Sequence, residues 1–127
     1  MKIAVGCDHG ALSLKKTIIN HLEKKGFQIV DVGTHTLDSC DYPDFSGAAS
    51  KLVVDGTCEK AIVMCTTGIG VSITANKING IRCALLSDVA SARYAKEHED
   101  TNVMALGAAI VAEPHACEIV DAWLGIE

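Results

Sequence analysis

Short apolar runs alternate with longer segments of helical periodicity along the whole chain. The apolar runs predict five β-strands, at residues 3–6, 27–32, 60–64, 82–86 and 102–106. The segments between them predict five α-helices, at residues 12–25, from residues 41–44 onward, about 70–77, 88–97 and 113–124. Strands that alternate with helices pair in parallel through right-handed crossovers, so the pattern predicts an α/β fold.

The predicted strands are almost continuously apolar, which is typical of a sheet covered on both faces. We therefore expect a three-layer αβα sandwich with a five-stranded parallel, Rossmann-like sheet. Ligands bind such sheets at the carboxyl ends of the strands. The loops after the first and third strands, residues 7–10 and 65–70, lie at that edge and are the first candidates for a site.

The first predicted helix has one apolar face and one charged face. The apolar residues that fall near one stripe are Leu12, Ile18, Ile19 and Leu22. The lysines that this pattern places in solvent are Lys15, Lys16, Lys24 and Lys25. Gly26 ends the helix, and in the next helix Asp41 is a candidate N-cap before Pro43.

Length and charge limit the classes of function. The 127 residues suit one domain, residues 1–127, and a composition of 49% hydrophobic and 21% charged residues is that of a packed protein. A net charge of −5 gives no reason to expect nucleic acid or an anionic membrane as partner. No apolar run approaches the roughly 20 residues of a membrane span, and the N-terminus lacks a signal-peptide pattern, so we expect a cytoplasmic protein.

The six cysteines do not form a recognisable framework. Several fall within predicted strands and helices, and no CxxC pair occurs, which argues against a zinc site. We expect free thiols in a reducing compartment, most of them acting as small buried hydrophobic groups. Only Cys65 has neighbours that suggest chemistry.

The segment CTTGIGVS, residues 65–72, follows a buried strand and opens a helix. Its glycines allow a sharp turn that presents backbone N–H groups, and the helix N-terminus adds a partial positive charge. These features indicate a pocket for an anion or an oxyanion. The segment matches neither the Walker A loop nor GxGxxG, and a purely structural turn is an equal alternative.

Cys65 lies where the strand ends and faces this helix N-terminus. Such a position favours the thiolate, which makes a base available near neutral pH. The alternative is a buried structural thiol, which composition alone would favour.

Two further segments contain residues that could take part in catalysis or binding. Asp8 and His9, in GCDHG after the first strand, project at the same edge, where a carboxylate can bind sugar hydroxyls and an imidazole can bind phosphate or transfer protons. The alternative is a helix N-cap by Asp8 beside a surface histidine. His98 lies between two acidic residues before the fifth strand, where an ordinary exposed loop histidine is the alternative.

With these segments in hand, the chain resembles the ribose-5-phosphate isomerase B family, which includes the galactose-6-phosphate isomerase subunits. The segments that carry the resemblance occur in family order and cover nearly the whole chain. They are GCDHGALSLK at 6–15, DVGT at 31–34, DYPD at 41–44, CTTGIGVSITANKINGIRCAL at 65–85, HEDTNV at 98–103 and DAWLG at 121–125.

The resemblance implies aldose–ketose isomerisation without a metal or an organic cofactor. In the family a cysteine base removes the proton next to the carbonyl, and a cis-enediolate forms before reprotonation on the neighbouring carbon. The resemblance assigns the base to Cys65, ring opening to Thr67 and His98, hydroxyl binding to Asp8 and phosphate contact to His9. It assigns the group of backbone N–H donors that stabilises the enediolate, here called the backbone nest, to Gly68, Ile69, Gly70, Val71 and Ser72. It also places Tyr42 near the site.

The resemblance also implies an assembly in which each site draws residues from two subunits. We expect a homodimer or homotetramer, and a heteromer with a related subunit is the alternative.

The sequence departs from the family pattern at four places. Thr66 replaces a glycine, Glu99 replaces an asparagine, and Ala109 replaces an arginine that relatives carry after the fifth strand. Relatives continue past the DAWLG segment into a helix with arginines, whereas this sequence ends at Glu127 and has no Lys or Arg beyond Lys96. Since arginine is the preferred bidentate partner of a phosphate, the expected phosphate clamp is missing from these positions.

Three interpretations remain open at this point. In the first, the protein isomerises a sugar phosphate such as ribose 5-phosphate and holds the phosphate with other groups. In the second, it isomerises an unphosphorylated or differently substituted sugar. In the third, it is a non-catalytic subunit of a heteromeric sugar-phosphate isomerase. The joint presence of Cys65, Thr67, Asp8 and His98 favours an active isomerase.

Overall fold

The computed structural model describes residues 1–36 and 42–126, except for the side chains of residues 42–44. The strands are β1 (Lys2–Cys7), β2 (Gln28–Gly33), β3 (Lys60–Cys65), β4 (Cys83–Leu85) and β5 (Val103–Gly107). The helices are α1 (Leu12–Lys24), α2 (Tyr42–Val54), α3 (Ile69–Asn76), α4 (Val89–Glu97) and α5 (Glu113–Leu124), with a 3-10 turn at His9–Ala11. The predicted N-cap at Asp41 lies outside the described residues.

All five strands belong to one parallel sheet with the order β2-β1-β3-β5-β4. Each predicted strand begins and ends within one residue of the observed strand. The predicted α/β fold with a five-stranded parallel sheet is confirmed. Among the described residues, no helix is both long enough and apolar enough to cross a membrane.

Two apolar clusters cover the two faces of the sheet. One cluster joins the sheet to α1, α4 and α5, and the other joins it to α2 and α3. Since successive residues of a strand point to opposite faces, Met64 belongs to the first cluster and Cys65 to the second. Cys7 belongs to the first cluster. The two thiols therefore lie on opposite faces of the sheet although their strands are neighbours.

Lys15 corrects one expectation from the sequence. Its side chain is only 2% exposed, whereas the helical pattern placed it in solvent. Its Nζ lies 2.9 Å from each carboxylate oxygen of Asp31 and donates to the Thr34 carbonyl at 2.6 Å. The prediction was wrong because these oxygens, at the end of β2, give the ammonium group partners beneath the helix. Lys16, Lys24 and Lys25 are exposed as predicted.

The same contacts fix the chain beyond β2. The Thr34 N–H donates to the Cys7 carbonyl at 2.7 Å, and the Gly33 N–H donates to Asp31 Oδ1 at 2.9 Å. The carboxyl end of β2 is thereby attached both to β1 and to α1. This region forms the flank of the sheet edge at which β1 and β3 end.

Candidate active site

The carboxyl ends of β1, β3 and β5 meet at one edge of the sheet. Cys65 is in register with Gly107 at the end of β5, and its carbonyl accepts the Ala108 N–H at 2.9 Å. On the other side, the Asp8 N–H donates to the Met64 carbonyl at 3.2 Å. The loop after β3 is therefore held between the loops after its two neighbours.

Cys65 occupies the bottom of this loop and is 6% exposed. Its sulfur accepts a hydrogen bond from the Gly68 N–H at 3.1 Å, and Gly68 is the N-cap of α3. The sulfur thus lies at the positive end of a helix dipole, as the sequence predicted. The role of Cys65 as base stays a prediction.

Gly68 is required for this arrangement. Its φ is +80°, and a Cβ at this position would lie 2.9 Å from the carbonyl carbon of Leu106 and 3.0 Å from the Gly107 nitrogen. Both neighbours are backbone atoms of β5, which cannot move aside without disturbing the sheet. The glycine brings the amide next to the sulfur because it alone tolerates both the angle and the close approach.

We expect Gly68→Ala to destabilise the protein by about 1–3 kcal/mol, because the new methyl group meets backbone in a strained conformation. Thermal unfolding measures the loss. The matched control is Gly47→Ala in α2, where a Cβ meets nothing within 4 Å. That change is expected to stabilise the protein by about 0.5–1 kcal/mol. Equal effects of the two substitutions would contradict the close packing at Gly68.

The backbone nest predicted over residues 68–72 is partly occupied by its own loop. The Ile69 N–H donates to Thr67 Oγ1 at 3.2 Å, and the Ser72 N–H donates to the Gly68 carbonyl at 3.2 Å. The Ser72 hydroxyl donates to the Ile69 carbonyl at 2.7 Å. Gly70 and Val71 lie in the first turn of α3, where N–H groups have no helical acceptor. These two amides are the best placed to receive an oxyanion.

Asp8 and His9 lie beside the Cys65 loop, as predicted. Asp8 is 8% exposed, and its Oδ1 accepts the Gly10 N–H at 2.9 Å as the N-cap of the 3-10 turn. Asp8 therefore does act as an N-cap, which was the alternative to a binding role. The capping hydrogen bond also orients its carboxylate at the edge of the site. The turn touches the neighbouring loop directly, since a Cβ on Gly10 would collide with Thr66 Oγ1.

His98 does not join these residues within one copy of the chain. It follows α4 and precedes β5, so it lies at the amino edge of the sheet. The exposed ring stacks on Tyr94 with 5.5 Å between ring centroids. At about 3.3 Å per residue, the five residues of β5 separate the two edges by about 13 Å or more. Tyr42 begins α2, and its side chain lies outside the described part of the structure.

Other thiols in the sheet are poor candidates for a base. Burial raises the pKa of the Cys7 thiol to about 11 and that of the Cys83 thiol to about 12. Both thiols are therefore protonated near neutral pH. Among the residues that the structure describes, no group of three or more His, Cys, Asp or Glu side chains is arranged to hold a metal ion.

These features define a parallel α/β protein with a thiol, a carboxylate and an imidazole on adjacent loops at the carboxyl edge of its sheet. The sequence pattern of a family described as Ribose/Galactose Isomerase matches residues 3–127. The chain belongs to this family, and it is an isomerase of the aldose–ketose class. The resemblance inferred from the sequence motifs is confirmed.

The similarity to individual relatives extends over nearly the full chain. Ribose-5-phosphate isomerase B of Escherichia coli K12 is 42% identical over 99% of this chain and 85% of that protein. Galactose-6-phosphate isomerase subunit LacB of Clostridium acetobutylicum is 40% identical over 98% of this chain and 72% of that protein. The structure of Clostridium thermocellum ribose-5-phosphate isomerase B superposes with a TM-score of 0.98 at 46% identity, covering 100% of this chain and 86% of the other.

Proposed function

We propose that the protein interconverts an aldose phosphate and a ketose phosphate, with ribose 5-phosphate and ribulose 5-phosphate as the first pair to test. The observation that carries this proposal is the 3.1 Å hydrogen bond from the Gly68 N–H to the Cys65 sulfur at the N-terminus of α3. This contact with a helix N-terminus supports the choice of Cys65 as the base. The choice of ribose 5-phosphate is supported by the similarity to ribose-5-phosphate isomerase B of Escherichia coli.

The reaction is a proton transfer between adjacent carbons. The Cys65 thiolate takes the proton from the carbon next to the carbonyl, and the electron pair moves to the carbonyl oxygen to give a cis-enediolate. The N–H groups of Gly70 and Val71 stabilise the negative charge on that oxygen. The thiol then returns a proton to the neighbouring carbon. The hydroxyl proton on the other oxygen of the enediolate passes to the former carbonyl oxygen, so that the new carbonyl forms at the carbon that lost its proton. Thr67 and His98 assist the preceding opening of the sugar ring.

The turn after β1 binds the rest of the substrate. Asp8, fixed by the Gly10 N–H, accepts hydrogen bonds from sugar hydroxyls. His9, at the same edge, contacts the phosphate, and the N-terminus of α3 adds a favourable potential for the anion. Tyr42 at the start of α2 borders the site in this proposal.

A second copy of the chain completes the site in this proposal. The supporting observation is that His98 lies at the edge of the sheet opposite to Cys65. Large apolar side chains are exposed around the sheet edge that carries Cys65, which favours packing of a second subunit against them. They are Ile69, Ile73, Leu85 and Ile110. We therefore propose a homodimer or a larger homo-oligomer, with a heteromer as the alternative.

The test of the proposed reaction is conversion of a panel of sugars in D2O, followed by NMR. The panel contains tetrose, pentose and hexose phosphates together with their unphosphorylated sugars. We expect a phosphorylated aldose to give its ketose with deuterium at C1, because the proton passes through an exchangeable thiol. Full conversion without deuterium would indicate a hydride shift and would contradict the thiol base.

One observation favours a second candidate, an isomerase of an unphosphorylated sugar. Ala109 lies next to the proposed base, because its N–H donates to the Thr66 carbonyl at 2.8 Å. The family resemblance places an arginine there. A charged hydrogen bond contributes about 1.5–3 kcal/mol, so loss of the guanidinium weakens phosphate binding unless another group replaces it.

Restoring the cation distinguishes the two candidates. We expect Ala109→Arg to lower KM for ribose 5-phosphate by about tenfold, because one charged hydrogen bond is gained. KM for unphosphorylated ribose should not change. The matched control is Asn20→Arg, which adds the same charge on the exposed face of α1. Equal effects of both variants, or a micromolar KM in the wild type, would contradict a clamp weakened at position 109.

A further inference from the structure

Thr66 follows the proposed base directly and is seated against the turn that carries Asp8. Its side chain is exposed, and its Oγ1 lies so close to Gly10 that a Cβ at position 10 would overlap it. The same Cβ position lies 3.3 Å from Asp8 Oδ1. The Thr66 side chain and the Asp8 carboxylate therefore border one small space at the mouth of the site.

The backbone of Thr66 is held by the loop after β5. The Thr66 carbonyl accepts the Ala109 N–H at 2.8 Å, and the Cys65 carbonyl accepts the Ala108 N–H at 2.9 Å. The loop after β5 thus holds the main chain of Thr66 on one side. The Gly10 turn limits the side chain on the other side. The Thr66 side chain therefore occupies the space between the Cys65 loop and the Asp8 turn.

We infer that Thr66 is a specificity-determining residue whose bulk limits the length of the sugar phosphate that the site accepts. The inference rests on the proposed function, in which the reacting carbons lie at Cys65 and the hydroxyls of the sugar lie at Asp8. The part of the substrate between them passes the Thr66 side chain. A six-carbon sugar phosphate has one more CH(OH) unit in this stretch than a five-carbon sugar phosphate. The enzyme therefore favours substrates of five carbons or fewer.

The expected size of the effect follows from the size of the group. One carbon unit more or less in a fitted pocket changes kcat/KM by about tenfold or more. Thr66→Gly removes the whole side chain, so it should raise the ratio of kcat/KM for allose 6-phosphate over ribose 5-phosphate by about tenfold or more. Thr66→Val is the matched control, because it keeps the shape and removes only the hydroxyl group. It should leave the ratio near the wild-type value.

A second measurement tests the contact with Gly10 without relying on activity. Gly10 has no positive φ, so alanine is conformationally acceptable there, and the overlap with Thr66 Oγ1 is the main contact that opposes it. We expect Gly10→Ala to lower Tm, and Thr66→Gly in the same chain to restore it. Thr66→Val should not restore it, because a methyl group then takes the place of Oγ1.

The outcomes separate this inference from the function on which it rests. If the wild type is active but Thr66→Gly leaves the substrate ratio unchanged, Thr66 has only a structural role and the inference fails alone. An equal shift of the ratio in Thr66→Val and Thr66→Gly would also overturn it, since the hydroxyl and not the bulk would then decide. If the wild type isomerises no sugar phosphate, the proposed function fails and this inference fails with it.

Discussion

Cys65→Ser is expected to lower kcat/KM on the true substrate by about two to four orders of magnitude. A serine hydroxyl is a far weaker acid than a thiol, so the alkoxide that would be needed as base is not populated at neutral pH. The oxygen can still accept the Gly68 N–H, because the substitution is nearly isosteric. The fold should therefore survive. Steady-state kinetics and thermal unfolding of the same preparations measure the two effects.

Cys83→Ser is the matched control for this substitution. Burial raises the pKa of the Cys83 thiol to about 12, and Cys83 lies in β4, outside the proposed site. The variant should keep its turnover. Retention of more than about a tenth of the activity by Cys65→Ser would contradict a thiolate base, since general base catalysis accounts for a larger factor.

Two inactive variants should restore activity when they are combined. Under the proposed function, Cys65→Ser removes the base from one half of the site, and His98→Ala removes the imidazole from the other half. When the two chains refold together, about half of the dimers are mixed, and each mixed dimer holds one intact site. We expect about one quarter of the wild-type activity, because a quarter of all sites are then complete. Activity assays after refolding of the mixture measure the recovery.

The matched control combines two variants of the same half of the site. Cys65 ends β3 and Thr67 lies two residues further along the same chain, so Cys65→Ser and Thr67→Ala cannot complement each other across subunits. Their mixture should show no more activity than the mean of the two parents. Failure of the first mixture to recover, with both chains folded and paired, would refute a site shared between copies.

The fold followed from the sequence because its elements depend on local pattern. Continuous apolar runs separated by amphipathic segments allow little besides a parallel sheet covered on both faces. The position of the candidate site followed from the same topology, since ligands bind at the carboxyl edge of such sheets. The sequence alone therefore places Cys65, Asp8 and His9 together at this edge.

Contacts between residues that lie far apart in the sequence could not be predicted in this way. The charge of Lys15 predicts a position in solvent, because helical periodicity says nothing of the Asp31 carboxylate beneath it. The contact between Thr66 and Gly10 joins two loops, and no pattern in either loop indicates it. The position of His98 did have a signal, since a residue just before a strand lies at the amino edge.

The separation of Cys65 and His98 by the length of the sheet has a consequence for symmetry. Under the proposed function, each chain has two different sheet edges, one with Cys65 and one with His98. The Cys65 edge of one molecule must pack against the His98 edge of another. Open head-to-tail association would form a growing fibre, and the edge exposed at each terminus of the fibre would belong to an incomplete site. Twofold association completes both sites in one dimer and leaves no edge for further growth. The polarity of a parallel sheet would thereby make a closed assembly the only small one in which every site is whole.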